Sequence, residues 1–232
     1  MNIEPVAYIK TDFKDKFGVP RQCGLVPGLI GEVIFEKQYS DPAAIRGIEE
    51  FSHLWLIWGF SMSPHDGRSL TVYPPRLGGR VKKGVFACRT PYRPNNLGLS
   101  SVKLEQVIND EQGIRLIVSG VDMVDGSPVY DIKPYIPYSD MHENASGGFS
   151  DEHKNDRIEV IFPDDKLSLV PADKRQALKE VLEQDPRAAY NKKAGFVYGL
   201  AFADMDIRFT ADENRICVVD VIRPEGETCR VK

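Results

Sequence analysis

The chain has 232 residues; 42% are hydrophobic and 28% charged, with 30 basic and 34 acidic side chains and a formal net charge of −4. Those proportions exclude a mainly disordered chain, a collagen and a coiled coil, and they suit one large domain or two modest ones. The most apolar run, Leu54–Phe60, spans seven residues against the ~20 that a membrane-spanning helix needs. The N-terminus lacks the basic and apolar regions of a signal peptide, so the expected compartment is the cytosol.

In chain order, short segments rich in Val, Ile and Tyr predict strands at Pro5–Lys10, Leu29–Glu36, His53–Phe60, Gly84–Arg89, Ser100–Asn109, Gly113–Asp122 and Pro128–Lys133. Asp41–Pro42 opens a predicted helix that runs to Phe51. Many strands with little helix between them indicate a sandwich or barrel. Residues Asp140–Asp156 are polar and read as a linker or long loop. Beyond it come a strand at Ile158–Phe162, a helix at Pro171–Gln184 and strands at Phe196–Phe202, Asp206–Thr210 and Arg215–Ile222. The expected division is 1–142, a linker at 143–156, and a smaller α+β unit at 157–232.

Charge is unevenly spread. No Asp or Glu lies between Asp66 and Glu105, a window holding Arg68, Arg76, Arg80, Lys82, Lys83, Arg89, Arg93 and Lys103. Such a cluster suits an anionic partner, nucleic acid first, unless acids from elsewhere in the fold neutralise it. The four cysteines form no C-x-x-C pair and share no metal-ligand spacing with the four histidines, so neither a zinc site nor a disulfide framework is expected. There is no G-x-G-x-x-G fingerprint, Walker A loop or G-x-S-x-G elbow.

Four polar segments stand out: Phe17–Gln22 with Pro20-Arg21-Gln22; Gly47–Trp55; Arg89–Ser100 with two arginines and two prolines; and Val124–Tyr135, opened by Asp125-Gly126. Proline pre-sets the backbone ahead of Arg21 and Gln22. His53, Trp55 and Trp58 read more readily as core than as catalytic groups. Two functional classes fit these features besides an enzyme of nucleic acid: a non-catalytic RNA-binding barrel, and an enzyme acting on a small anionic molecule.

These segments, in this order, resemble the TsaA-like (TrmO) family of tRNA methyltransferases. The resemblance rests on P-R-Q, G-I-E-E-F-S-H-L-W, P-P-R-L-G-G, R-P-N-x-x-G-L-S, D-G-S-P-V-Y-D-I-K-P-Y and, in the tail, Asp185-Pro186-Arg187-Ala188-Ala189-Tyr190. It implies a single-sheet β-barrel with a smaller α+β domain. The implied activity is S-adenosylmethionine-dependent methylation of N6 of N6-threonylcarbamoyladenosine at position 37, 3′ of the anticodon, in threonine tRNAs. It also implies a homodimer without metal or membrane. The implied cofactor contacts are Pro20, Arg21, Gln22, Ser61, Met62, Arg89, Leu99, Met123, Val124, Asp125 and Gly126. Family members often have His-Gln where this chain has Ser61-Met62, and often proline at Asn96 and Ala188. The change at Asn96 is expected to loosen its loop slightly.

Asp125 either faces the sulfonium or caps a turn. The expected substrate contacts are Arg93, Asp185, Arg187 and Tyr190, with the tail motif in an exposed loop unless Arg187 pairs with Asp185. Tyr73, Tyr92 and Tyr135 are stacking candidates, each equally readable as core, and His53 and Tyr190 are conceivable bases.

Overall fold

The strands that precede residue 135 bury alternate side chains, and six of them close on themselves. The structure is a computed structural model that describes residues 2–63, 69–187 and 195–223. In chain order the strands are β1 (Ala7–Lys10), β2 (Ile30–Phe35), β3 (His53–Gly59), the two-residue β4 (Thr71–Val72) and β5 (Lys83–Gly84), β6 (Leu97–Asp110), β7 (Gly113–Ser119) and β8 (Ser127–Pro134). The barrel order is β1-β2-β7-β6-β3-β8, each neighbour antiparallel, with β8 returning to β1. β4 and β5 pair only with each other, as a ribbon inside the long β3–β6 connection.

Period-two alternation places Leu54, Leu56 and Trp58 of β3, Leu116 and Val118 of β7, and Ala7 and Ile9 of β1 in the core. A six-stranded barrel is narrow, so small residues must face large ones. Gly98 lies opposite Trp58 in register, where an added Cβ would sit 2.4 Å from the indole. At Gly31 a Cβ would sit 2.8 Å from Ile9.

The tail begins with the short helix α1 (Pro137–Asp140) and continues with β9 (Glu159–Ile161), α2 (Asp164–Leu167), α3 (Arg175–Glu183), β10 (Tyr198–Phe202), β11 (Met205–Ala211) and β12 (Arg215–Ile222). Its sheet runs β10-β11-β12-β9, with β9 parallel to β12. α3 buries Ala177, Leu178, Val181 and Leu182, the face its spacing predicts. The two units share one core. Phe13, in the β1–β2 connection, meets Phe202 edge-on at 5.4 Å. Phe17 stacks on Phe209, and Ala203 N–H donates to the Asp12 carbonyl at 2.9 Å.

Two expectations fail. Gly84–Arg89 is not a strand: only Lys83–Gly84 pairs, and Val85–Ala87 forms a 3-10 turn. The barrel closes without this segment, so no free edge is left for it to join. The helix expected over Asp41–Phe51 is a run of turns with one 3-10 turn at Ile48–Glu50. The Asp41 carboxylate does accept from the Ala43 N–H at 2.8 Å. Gly47 then takes a φ of 85°, which no helix continues through. The polar stretch Asp140–Asp156 carries no strand and one 3-10 turn, Gly148–His153.

The contact between Gly98 and Trp58 gives a stability test. Gly98→Ala should lower unfolding free energy by ~1–3 kcal/mol, the usual cost of overpacking. Gly84→Ala should be close to neutral, because nothing lies within 4 Å of its added Cβ and its φ is −63°. Urea unfolding of both variants checks the difference.

Candidate functional site

Antiparallel closure brings the β1–β2, β3–β6 and β7–β8 connections to one rim of the barrel. The register confirms it: Ile30 pairs with Ser119, Gly59 with Leu97, and Ile9 with Ser127. The barrel-domain residues singled out as cofactor contacts sit on these connections or at the strand ends beside them. Their side chains and main chains are not equally available.

Gln22 and Arg89 come together, with Arg89 Nη1 donating to Gln22 Oε1 at 2.7 Å. Leu99 is 56% exposed on the outside of β6 and Met62 is 43% exposed, which leaves apolar surface beside that pair's strand ends. Ser61 is exposed and follows Phe60, whose N–H donates to the Asn96 carbonyl at 3.1 Å and whose carbonyl accepts from Asn96 Nδ2 at 2.8 Å. Asn96 does not loosen its loop. It adopts a φ of 52°, closed to proline, and fastens Phe60 from both sides.

Met123 is fully buried and Val124 nearly so, so both reach a ligand only through the main chain. The Met123 carbonyl accepts from Thr11 Oγ1 at 3.1 Å. Asp125 is occupied: Oδ1 accepts from the Thr11 N–H at 2.9 Å and Oδ2 meets Lys14 Nζ at 3.0 Å. Burial pulls its carboxyl upward, yet Thr11 and Lys14 hold it below the ordinary carboxylate value. The turn-capping reading of Asp125 is the one these contacts favour. Gly126 is exposed at a φ of 73°.

Pro20 is buried, and Arg21 reaches from the barrel to the tail, where Nη2 donates to the Asp185 carbonyl at 3.1 Å. Burial and the Arg76 cation lower the Arg21 pKa without neutralising it at physiological pH. A cleft of about 170 Å³ between the units is lined by Lys16, Pro20 and Arg21 on one side and by Gln184, Asp185 and Pro186 on the other.

In the described part of the tail motif, Asp185–Arg187, the arginine is not exposed as expected but pairs with Asp185. Arg187 is 2% exposed; its Nε and Nη2 bond Asp185 at 2.7 and 3.0 Å, and Nη2 also donates to the Asp212 carbonyl at 2.9 Å. Its Nε and Nη2 donors are engaged by the fold, and Asp185 sits at a φ of 48° that turns the chain out of α3. Tyr190 lies outside the described residues. Arg93 donates to the Val85 and Cys88 carbonyls at 3.2 and 2.6 Å, which shapes the loop between them.

His53 stands at the start of β3, six residues from the strand's other end, so about 20 Å separates it from this rim. It is not the base. Tyr135 packs on Trp55 at 5.5 Å, whereas Tyr73 and Tyr92 are half exposed. The acid-free window keeps its charge. Among the described residues only Lys103 of that window has a carboxylate partner, Glu105 at 2.9 Å. Arg76, Arg80, Lys82, Lys83, Arg89 and Arg93 form no ion pair with a described carboxylate, although the Arg89 charge acts on Asp122.

Sequence reasoning missed one group at the rim. Asp122 follows β7; its Oδ1 accepts from Ser100 Oγ at 2.6 Å, and Ser100 Oγ accepts from Trp58 Nε1 at 2.9 Å. Burial pushes the Asp122 carboxyl up to about 6, against the pull of Ser100, the Cys23 N–H and Arg89. Its neighbour Asp125, inside the D-G motif, had drawn the attention. The only sequence signal was that a strand predicted to be buried ended in an acid.

The rim fits an adenosyl cofactor. The Gln22–Arg89 pair supplies polar groups, and Leu99 and Met62 supply exposed apolar surface. The buried Asn96 Oδ1 is an acceptor without a protein partner. Among the described residues no cluster could hold a metal ion, and no helix is long and apolar enough to cross a membrane.

Comparison with known proteins agrees with this layout. Residues 8–141 match the tRNA-methyltransferase O N-terminal domain and residues 156–224 the TrmO C-terminal domain. The chain is 38% identical over 214 residues to the tRNA (adenine(37)-N6)-methyltransferase of Escherichia coli K12, covering 89% of this chain and 91% of that one. It is 37% identical to a putative S-adenosylmethionine-dependent methyltransferase, RcsF, of Pseudomonas aeruginosa PAO1, covering 90% and 91%. A crystal structure of TrmO from P. aeruginosa superposes with a TM-score of 0.78 at 31% identity, covering 97% of each chain.

Barrel, rim and matches define a β-barrel methyltransferase. The chain belongs to the tRNA-methyltransferase O family, and with it to the S-adenosylmethionine-dependent tRNA methyltransferases.

The burial of Arg187 changes what its removal should do. Arg187→Ala takes the guanidinium from the Asp185 carboxylate and from the Asp212 carbonyl. It should cost about 3 kcal/mol, the low end for breaking a buried ion pair, because water still reaches Asp185. Thermal unfolding of Arg187→Ala checks this: an unchanged Tm would return the residue to a substrate role.

Proposed function

We propose that this protein methylates N6 of N6-threonylcarbamoyladenosine at position 37 of threonine tRNAs, with S-adenosylmethionine bound at the rim that carries Gln22 and Arg89. One observation carries the reading: the expected cofactor segments converge on one rim, beside a ribbon of unpaired cations. A non-catalytic RNA-binding barrel would explain the cations but not the convergence.

When bound, the cofactor supplies an electrophilic methyl on a sulfonium. The chain's own work is binding and placement. Gln22 and Arg89 present amide and guanidinium groups to the polar end of the ligand. Leu99 and Met62 offer apolar surface to its ring. The ribbon cations Arg76, Arg80, Lys82 and Lys83 attract the phosphates of an anticodon loop, and Tyr73 and Tyr92 offer exposed rings to splayed bases. Alignment of the N6 lone pair with the S–CH3 bond then supplies much of the rate. Transfer of that methyl to N6 would release the N6 proton to solvent and leave a neutral thioether.

The test is methyl transfer to purified threonine tRNA with and without the threonylcarbamoyl group, read by nucleoside mass spectrometry. Product should form only on the modified tRNA. Arg89→Ala should weaken cofactor binding about 10- to 100-fold, the worth of a hydrogen bond to a charged group. Lys82→Glu with Lys83→Glu should leave cofactor affinity unchanged and weaken tRNA binding. Equal product on unmodified tRNA would overturn the substrate assignment.

The same patch bears on assembly. Leu70, Val81 and Phe86, the last 77% exposed, lie in the ribbon and the loop after it. A second copy of the chain is the proposed cover for this apolar surface. Light scattering should give about twice the chain mass of 26.1 kDa.

A further inference from the structure

Each candidate cofactor segment at the rim lies one step from the carboxylate of Asp122. Met123 follows it in the chain. Ser100, whose hydroxyl donates to it at 2.6 Å, follows Leu99. Trp58, which donates to Ser100 at 2.9 Å, precedes Gly59 and Phe60 and thus the Ser61–Met62 turn. Gly24 N–H donates to the Gly120 carbonyl at 2.8 Å, which lays the Arg21–Gly24 turn against the start of the β7–β8 connection. There the Cys23 N–H lies on the side of the same carboxylate and favours its charged form, and Arg89, bound to Gln22, contributes its positive charge.

We propose that Asp122 is the positioning residue of the cofactor site: its carboxylate locks the Gln22–Arg89 pair, Leu99 and the Met123–Gly126 main chain into one arrangement. This rests on the reading of the rim as the cofactor site. A purely structural cap at the mouth of an apolar barrel needs no charge. A carboxylate buried there is costly unless its hydrogen bonds and a nearby cation compensate it. Ser100, 1% exposed, makes the arrangement directional, because its one proton goes to Asp122 and a lone pair is taken by the Trp58 indole.

The groups that face Asp122 are few. Arg89 comes from the segment after β5, the Cys23 thiol and N–H from the β1–β2 connection, and the Ser100 hydroxyl from β6. β3 contributes Trp58, which does not titrate. The ionised carboxylate attracts Arg89 and is favoured by the Cys23 N–H; the protonated one is held less by both. The binding-competent site is therefore the ionised one, and affinity falls as pH drops through the titration of Asp122.

Calorimetric titration of S-adenosylmethionine and of S-adenosylhomocysteine into the wild type, Asp122→Asn and Ser100→Ala, between about pH 5 and about pH 8.5, tests this. The ratio of wild-type to Asp122→Asn affinity at each pH cancels the ligands' own ionisations. That ratio should be about tenfold at the upper end and approach one at the lower end. It should do so equally for both ligands, since a positioning residue acts on the pocket and not on the sulfonium. Ser100→Ala removes the hydrogen bond that favours the carboxylate, so its inflection should move to higher pH.

A ratio independent of pH overturns the proposal. So does a response confined to S-adenosylmethionine, which would make Asp122 a direct sulfonium contact. Arg89→Ala and Gln22→Ala separate the two levels. If they weaken binding while Asp122→Asn does not, only the positioning role fails. If neither weakens binding, the rim is not the cofactor site.

Discussion

The structure depends on fitting the Trp58 indole into a barrel of only six strands. The indole fits because its partner across the sheet, Gly98, has no side chain, with 2.4 Å between the ring and any Cβ placed there. Filling the barrel in this way has a consequence at its mouth. The indole N–H needs an acceptor once buried, and Ser100 provides it two residues along β6. The Ser100 hydroxyl then needs an acceptor in turn, and Asp122 stands where β7 leaves the barrel. A packing solution inside the sheet thereby fixes the backbone of the loops outside it. The loops that would hold a flexible ligand are anchored to the most rigid part of the molecule.

The tail is joined to that rim more closely than a linker suggests. Phe13 and Phe17 of the β1–β2 connection insert into the core of the C-terminal sheet, while Arg21, a few residues on, bonds the Asp185 carbonyl. Asp185 is held in its left-handed conformation by Arg187, and Arg187 is held by Asp212 at the β11–β12 turn. The tail motif therefore acts as a brace. It sets the place of a main-chain carbonyl, and the carbonyl sets the direction of Arg21. This accounts for an arginine with conspicuous chemistry that lies inside the protein.

Most of the barrel was legible because its signals are local. Alternation in Ile114–Val118 and the apolar run Leu54–Phe60 identify strands whatever their partners, and β12 was placed to the residue. Closure was suggested by strand count and by family resemblance, not by any one segment. The misread elements depend on partners or on a single dihedral. Gly84–Arg89 has strand composition but no edge to join. Asp41–Phe51 has a helix cap that functions, then a glycine at positive φ that ends the matter. At the rim, Gln22, Arg89 and Leu99 were singled out through motifs. Asp122 was not, because its importance lies in contacts to residues 22 positions away at Ser100 and still further at Cys23. For Arg187 the two readings could not be separated in the sequence: arginine in a polar motif reads as surface, and only the fold shows that it turns inward to Asp185, the alternative the motif also allowed.

Charge is partitioned between the barrel wall and the ribbon. On the wall, cations are matched: Arg115 with Asp110 at 2.8 Å and Glu32 at 2.9 Å, Lys103 with Glu105, and Lys14 with Asp125. On the ribbon and the loop after it, Arg76, Arg80, Lys82, Lys83 and Arg93 pair with no described carboxylate, and Arg89 acts on Asp122 without forming an ion pair, in a chain whose net charge is −4. A protein with acids in excess does not leave so many cations unpaired through shortage of partners. Their mutual repulsion is tolerated in a segment that contributes little to the core, where two-residue strands carry the only pairing. The same repulsion is relieved when a polyanion arrives and displaces its counterions. Destabilising charge is thus confined to the element that can bear it, a few residues from the rim where a splayed base would meet the methyl donor.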